Sequence, residues 1–300
     1  YNSNNLTSNV SQELIDRESE IYEKEFRTDK YGSFIVHSTM NKIGSNQILI
    51  PYFPFMNLRV FLSNINDKYN FTTIDKVVII KEIAIGFSEL HSEHIYHQNI
   101  NSSDIFIDNN KNAYIGNFAH DNEYEQHQTK LVQSAYYRHP DLIQNPNELS
   151  IENENDDNKA RYDIYSFGVL AHEIITTRSP NERFGYTTRQ DRIERLQNNY
   201  FDFLFKDEDD FDAKYGVPGM KDIISRCMSL DEERQYSTFK ELIASIDNLE
   251  IYKDNEEEIE TRIQDSEDCN TYECKISDII TNFYFGNETS KDTILKFIEK

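Results

Sequence analysis

The chain has 300 residues, no tryptophan, three cysteines, and only 31 lysines and arginines against 54 aspartates and glutamates. Its net charge of −23 excludes a direct hold on nucleic acid or an anionic membrane, since both need a positive patch that displaces counterions. Three cysteines (Cys227, Cys269 and Cys274) do not make a disulfide framework, and the odd count fits a reducing, cytoplasmic compartment. Cys269 and Cys274 sit close together in an acidic tail and read as two unpaired thiols. No run of 18 apolar residues exists, so no membrane-spanning helix is expected. Tyr1 opens a polar Asn/Ser stretch that is neither a secretory signal nor an initiator methionine, as expected of a fragment of a longer protein.

What is present suffices for a core. Hydrophobic residues make up 37% of the chain, with 19 Tyr and 19 Phe, and the length suits one large domain or two small ones. A mean hydropathy of −0.73 implies long solvated segments. Leu14, Ile15, Ile21, Tyr22 and Phe26 have helical spacing over residues 12–26, and strands are expected over 32–40 and 47–53. A long helix is expected over 74–92, with Val77, Ile80, Ile83, Ala84, Phe87 and Leu90 on one stripe. Two short strands at 105–108 and 112–115 flank the turn Asn109-Asn110-Lys111. Residues 145–159 read as an exposed loop, and 163–176 as a helix buried nearly all round. Further helices are expected at 190–198, 220–228 and 238–246, and the acidic run 253–268 reads as a solvated linker.

The most informative stretch is His97-Gln98-Asn99-Ile100-Asn101-Ser102-Ser103-Asp104, followed by Gly116-Asn117-Phe118. Its spacing resembles the protein-kinase catalytic loop H-R-D-x-x-x-x-N and the later D-F-G metal loop. Ile50 to Leu58 resembles the kinase hinge, and Gly86 to His97 the approach to the catalytic loop. Tyr137 lies just before His139-Pro140-Asp141, which occupies the place of A-P-E. Asp163-Ile164-Tyr165-Ser166-Phe167-Gly168 resembles the start of the family's F helix, and Arg226 to Arg234 a late segment ending in its arginine. These matches span residues 12–247 in the family's order, and the chain is identified as a degenerate member of the protein kinase-like superfamily. The implied fold is α+β, mainly α, with a helical C-lobe and a truncated N-lobe. The implied layout is a disordered stretch at 1–11, an N-lobe remnant at 12–55, a C-lobe at 56–250, and an acidic linker with a short helical tail at 251–300.

The occupants of the chemical positions differ from the family pattern. Asn99 replaces the base, Asn101 the phosphate-neutralising lysine, Asp104 the asparagine ligand and Asn117 the metal-binding aspartate. An amide has no basic lone pair at neutral pH, whereas positioned acid–base help is worth ~10²–10⁴ in rate. A neutral carbonyl oxygen is also a poor ligand for a hard dication. No Gly-rich loop or V-A-I-K strand precedes residue 12, and residues 1–17 contain no lysine that could pair with Glu18. Ile50, Tyr52, Phe53 and Phe106 would line a vestigial nucleotide pocket. Glu18, Tyr22, His97, Phe118, Asp141, Asp163 and Arg234 are assigned structural roles, with Asp163 anchoring the catalytic-loop backbone and Arg234 pairing with Asp141. His91, His94 and His97 recur every three residues, but the helix ends near His94, so they read as structural histidines rather than a metal face.

The resulting expectation is a pseudokinase serving as a protein-interaction or allosteric signalling module, with no cofactor and no metal. Its partner would be a basic protein met by the acidic segments 145–158, 207–212 and 253–268. The alternative is an active or weakly active ATP- and Mg-dependent serine/threonine or tyrosine kinase with atypical catalytic residues. A third reading is a truncated relative whose C-lobe merely folds.

Overall fold

Helix α2 (Thr73–Ser92) is the axis on which most other elements pack. Its start is fixed locally: the Thr72 hydroxyl accepts from Asp75 N at 3.1 Å and the Asp75 carboxylate accepts from Thr72 N at 2.6 Å. This reciprocal cap satisfies two amides that would otherwise lack partners. The expected apolar stripe is there, but Val78, Ile79, Ile85, Lys81, Glu82 and Glu89 are buried as well, so the helix is covered on nearly every side. Two acids on it are tolerated by losing their charge. Burial pushes Glu82 well up although it accepts from Ala113 N at 2.9 Å, and burial pushes Glu89 up to about 8.

The computed structural model describes residues 20–21, 34–36, 53–65, 71–118, 136–144, 155–180, 194, 202, 204–206 and 210–268. Helix α1 (Leu58–Ser63) is capped by Asn57, whose side chain accepts from Val60 N at 3.0 Å. Strands β1 (Ile105–Ile107) and β2 (Ala113–Ile115) pair antiparallel, with Phe106 opposite Tyr114. Residues 34–36 lie parallel to β2, with Val36 N donating to Ile115 O and Ile115 N to Phe34 O, both at 2.8 Å. A Cβ on Gly86 would sit 2.9 Å from Ile115 Cδ1 and 3.0 Å from Phe34 O, so a glycine lets α2 lie directly under these strands.

Helix α3 (Pro140–Gln144) is short, and α4 (Asp156–Thr176) crosses behind α2. Helix α4 starts seven residues earlier than the apolar pattern predicts, because Asn155 caps it, accepting from Asn158 N at 2.8 Å, and two aspartates occupy its first turn. It stops at Thr177, which is left-handed with φ 55°, and Lys76 of α2 donates to Ile175 O at 2.7 Å. Helices α5 (Phe211–Tyr215), α6 (Met220–Cys227) and α7 (Phe239–Asp247) follow. Phe239 of α7 stacks on Phe87 at 4.8 Å and meets Phe167 edge-on at 5.5 Å, joining α2 to α4.

Residues 253–268, expected to be a solvated linker, instead belong to α8 (Glu250–Asp254) and α9 (Glu256–Asp268). Helix α9 packs on α2 with Ile259 and Ile263 fully buried. Two isoleucines four apart form one helical face, and this outweighs the acidic composition of the other faces. The helix expected at 12–26 is described only at Glu20 and Ile21, and the one at 190–198 only at Glu194. The strand residues 37–52 lie outside the described residues. No helix among the described residues is long and apolar enough to cross a membrane.

The contact of α4 with α6 is set by Gly168, where a Cβ would lie 2.7 Å from Cys227 Cβ and 2.9 Å from Met228 Cγ. At an open helical site Gly→Ala stabilises by ~1 kcal/mol, while overpacking costs ~1–3 kcal/mol. Gly168→Ala is therefore expected to lower stability by up to ~2 kcal/mol in denaturant titration. A stabilised variant would mean that the two helices are not in close contact.

Candidate functional site

The buried carboxylate of Asp163 on α4 organises the loop that follows α2. It accepts from His97 N at 2.9 Å, from Gln98 N at 2.5 Å and from His91 Nε2 at 3.0 Å. Gln98 is held in a left-handed conformation with φ 62°. His97 Nε2 donates to Gly116 O at 3.1 Å, and its ring lies 5.3 Å from that of Phe118. Loop 97–104 and loop 116–118 are thereby fixed against each other.

Between them lies a closed polar knot. Asp104 Oδ2 accepts from Asn101 N at 2.9 Å and from the Asn101 amide nitrogen. Asp104 Oδ1 accepts from Asn117 Nδ2 at 3.2 Å, and the same nitrogen reaches Ser103 O at 3.3 Å. Both partners of Asn117 are acceptors, so its amide must present nitrogen, not oxygen, to Asp104. Asn117 is left-handed with φ 60°, a conformation Asn tolerates better than most residues. Burial pushes Asp104 up to about 7 against the opposing pull of the Asn117 and Asn101 hydrogen bonds and the Arg59 charge. Asn99 Oδ1 accepts from Arg138 Nε at 3.0 Å. The structure thus brings together Asn99, Asn101, Asp104, Asn117, His97, Phe118 and Asp163.

Other predicted residues fare differently. Phe53 and Phe106 are in contact, with ring centroids 5.1 Å apart, and Phe53 lies 5.6 Å from Tyr114. Ile50, Tyr52, Glu18 and Tyr22 lie outside the described residues. The expected Arg234–Asp141 pair does not form. Arg234 is exposed and donates to Ser225 Oγ at 2.8 Å, while Asp141 turns its short arm toward His139 Nδ1 at 3.4 Å. The neighbour Gln235 takes over the cross-link, donating to Arg161 O at 3.2 Å and Cys227 O at 2.8 Å while accepting from Arg161 Nε at 3.0 Å.

A second network was not singled out from the sequence. Glu173, buried on α4, accepts from Ser102 Oγ at 3.1 Å and from the Tyr137 hydroxyl. Arg59 of α1 donates to Ser102 Oγ at 3.3 Å and to Asn101 Oδ1 at 3.4 Å. Burial, and then the Glu173 charge, push Tyr137 well up, so it serves as a neutral donor. The available signal was Glu173 itself, an acid within an apolar helical run, because a buried charge demands a partner. Among the described residues no group of His, Cys, Asp and Glu has the arrangement of a metal site.

A model of the protein kinase domain matches residues 16–245. A probable serine/threonine-protein kinase of Arabidopsis thaliana is 27% identical over 111 residues, which cover 36% of this chain and 14% of that protein. A probable serine/threonine-protein kinase of Dictyostelium discoideum is 25% identical over 154 residues, 51% of this chain and 14% of its own length. An L-type lectin-domain containing receptor kinase, VI.2, of Arabidopsis thaliana is 32% identical over 111 residues, 35% of this chain and 15% of its own. The chain spans about a seventh of the length of these relatives.

The Asp104 knot has a pH signature. Its carboxyl holds a proton more tightly folded than unfolded, so the stability it contributes is full below its ordinary value of 3.8 and is lost as pH rises through about 7. Asp104→Asn removes that titration. Measured by chemical denaturation, the stability of the variant relative to the unaltered chain is expected to shift in the variant's favour between pH 5 and pH 8. A constant difference across that range would show that Asp104 titrates normally.

Proposed function

Because the chain belongs to the protein kinase family, whose domain model covers residues 16–245, we propose that it uses the kinase-like lobe as a binding platform and has given up phosphoryl transfer. The observation that carries this reading is the Asp104 knot. Each oxygen of its carboxylate already accepts an amide N–H, from Asn101 on one side and Asn117 on the other. A hard dication would compete with these N–H groups for the same carboxylate, and at 117 it would meet an amide nitrogen where the family pattern supplies a carboxylate. The carboxylate and amide of the metal positions have exchanged places, so they still bond each other without a cation between them. Asn99 cannot accept a substrate hydroxyl's proton, and its amide oxygen is engaged by Arg138.

The nucleotide pocket supports the same reading. Phe53 and Phe106, which the resemblance assigns to the lining of the adenine pocket, pack on each other with ring centroids 5.1 Å apart. The amides at 99 and 117 and the pairing within the knot make these residues a poor match for Mg-ATP. The competing reading, an active kinase with atypical residues, draws on the matched relatives, two of which are named probable serine/threonine-protein kinases. It also draws on the one carboxylate kept in the knot.

For the platform's partner, the net charge of −23 favours a basic protein. Acidic residues on the described surface include Asp231, Glu232 and Glu233 and, on α9, Glu256, Glu257 and Glu258. On a helix these last three are presented at fixed positions rather than on a loose chain. Most of segments 145–158 and 207–212 lies outside the described residues.

Incubation with labelled ATP and Mg²⁺ or Mn²⁺ is expected to give no phosphate transfer to the chain or to generic substrates. A thermal-shift titration is expected to show no stabilisation, where a hundredfold excess over Kd would add ~2.7 kcal/mol. Robust incorporation lost in Asp104→Ala would establish the active reading. Partner capture from an extract is expected to weaken steeply above ~0.15 M salt, where the screening length is about 8 Å. Retention that ignores salt would move the interface to apolar surface.

A further inference from the structure

Lys81 is a cation sealed inside the lobe, its side chain fully buried at the middle of α2. Its partners belong to α7 and to the C-terminal helices. Nζ is 2.6 Å from Glu260 Oε1, 2.9 Å from Asp247 Oδ1 and 4.2 Å from the ring centroid of Tyr252, whose hydroxyl it also bonds. One turn and a half toward the start of α2, Asp75 takes Arg262 at 2.9 Å and Lys111 of the β1–β2 turn at 3.1 Å. Ile259 and Ile263, on the same helix as Glu260 and Arg262, are fully buried. Among the described elements the main neighbours of α9 are α2 and α8, so its described attachment lies chiefly along one helix. Helix α2, in contrast, is also gripped by α4, α7 and β2.

The chain between α7 and α8 has the form of a hinge. Leu249 is extended (φ −60°, ψ 141°), α8 begins without a side-chain cap, and Asn255 breaks the path between α8 and α9. Leu249 itself is buried, with its Cδ2 beside Gly219, so the pivot is anchored to the lobe.

We propose that α8 and α9 form a strap closed over Lys81 of α2, and that this strap opens as a unit about Leu249 while the rest of the lobe stays folded. The ionic contacts do not prevent opening, because water resolvates Lys81, Glu260, Arg262 and Asp75 as the helices part and the cost of burying them is recovered. Closure is carried by Ile259, Ile263 and Tyr252. An element attached chiefly along one helix opens at lower free energy than a core crossed by several. The open strap uncovers Lys81 on the outer face of α2 and the two isoleucines, Ile259 and Ile263, on α9. That helix also carries Glu82, which holds Ala113 N at the start of the strand leading to Asn117. The strap therefore gates a face whose inner side supports the Asp104–Asn117 knot.

The test uses the full chain, with amine acylation of Lys81 and backbone hydrogen exchange both read by peptide mass spectrometry. Lys81 is expected to acylate far more slowly than exposed Lys253, and residues 256–264 to exchange faster than residues 162–176 of α4. Ile263→Ala is expected to speed Lys81 acylation roughly tenfold or more, given the cost of a large-to-small core change. Glu260→Gln, which keeps the shape and removes the nearest carboxylate, is expected to speed it as well. In both variants exchange over 162–176 should stay unchanged, which also certifies that they fold. The proposal is overturned if Lys81 acylation and α4 exchange rise together, since the strap would then open only with the whole lobe. It is equally overturned if neither variant changes Lys81 acylation, or if Lys81 of the unaltered chain reacts as fast as Lys253.

Discussion

The carboxylate of Asp163 is the constraint on which the rest of the site depends. Fully buried on α4, it holds two consecutive backbone amides, His97 and Gln98, and the ring of His91. A charge in that position is stable only with several donors, and the donors can reach it only if the loop after α2 takes one path. That path requires a left-handed Gln98 and sets His97 against Gly116 and Phe118. The two loops that would carry chemistry are thus positioned from behind, by the scaffold, whatever residues stand at their tips.

This separation explains how the fold keeps its geometry with a changed site. The tips carry amides where the family pattern has two carboxylates and a lysine, and the one carboxylate there, Asp104, is bonded by two of those amides, Asn101 and Asn117. A buried polar cluster is tolerated when every member has a partner, and this one is satisfied by its own side chains. The nearby Arg59–Ser102–Tyr137–Glu173 network follows the same rule, joining α1, the 97–104 loop and α4 through a buried acid.

Helix α2 shows how composition misleads when a helix has neighbours on every side. The apolar stripe from Val77 to Leu90 predicts one buried face, yet Lys81, Glu82 and Glu89 are sealed as well. Each is accommodated differently: Lys81 by carboxylates from α7 and α9, Glu82 by a backbone amide and loss of charge, and Glu89 by loss of charge. The acidic run after residue 253 supplies part of that compensation through Glu260, while its buried isoleucines hold it on the lobe.

The sequence by itself determined the kinase-like layout, because spacing is preserved by the path of the backbone: His97 to Asp104, Asn117-Phe118, and Asp163 five residues ahead of the close contact at Gly168 can all be read along the chain. It also determined which chemical groups stand at the site, since those are residue identities. The tertiary structure alone decided which groups pair. That Asn117 presents nitrogen to Asp104, that Gln235 bonds to Arg161 of α4, that Glu173 meets Ser102 and Tyr137, and that Glu260 reaches back to Lys81 all depend on side chains far apart in sequence. Hydrogen bonds and ion pairs act over a few ångströms, and only the packing of α2, α4 and α9 brings these partners within that range.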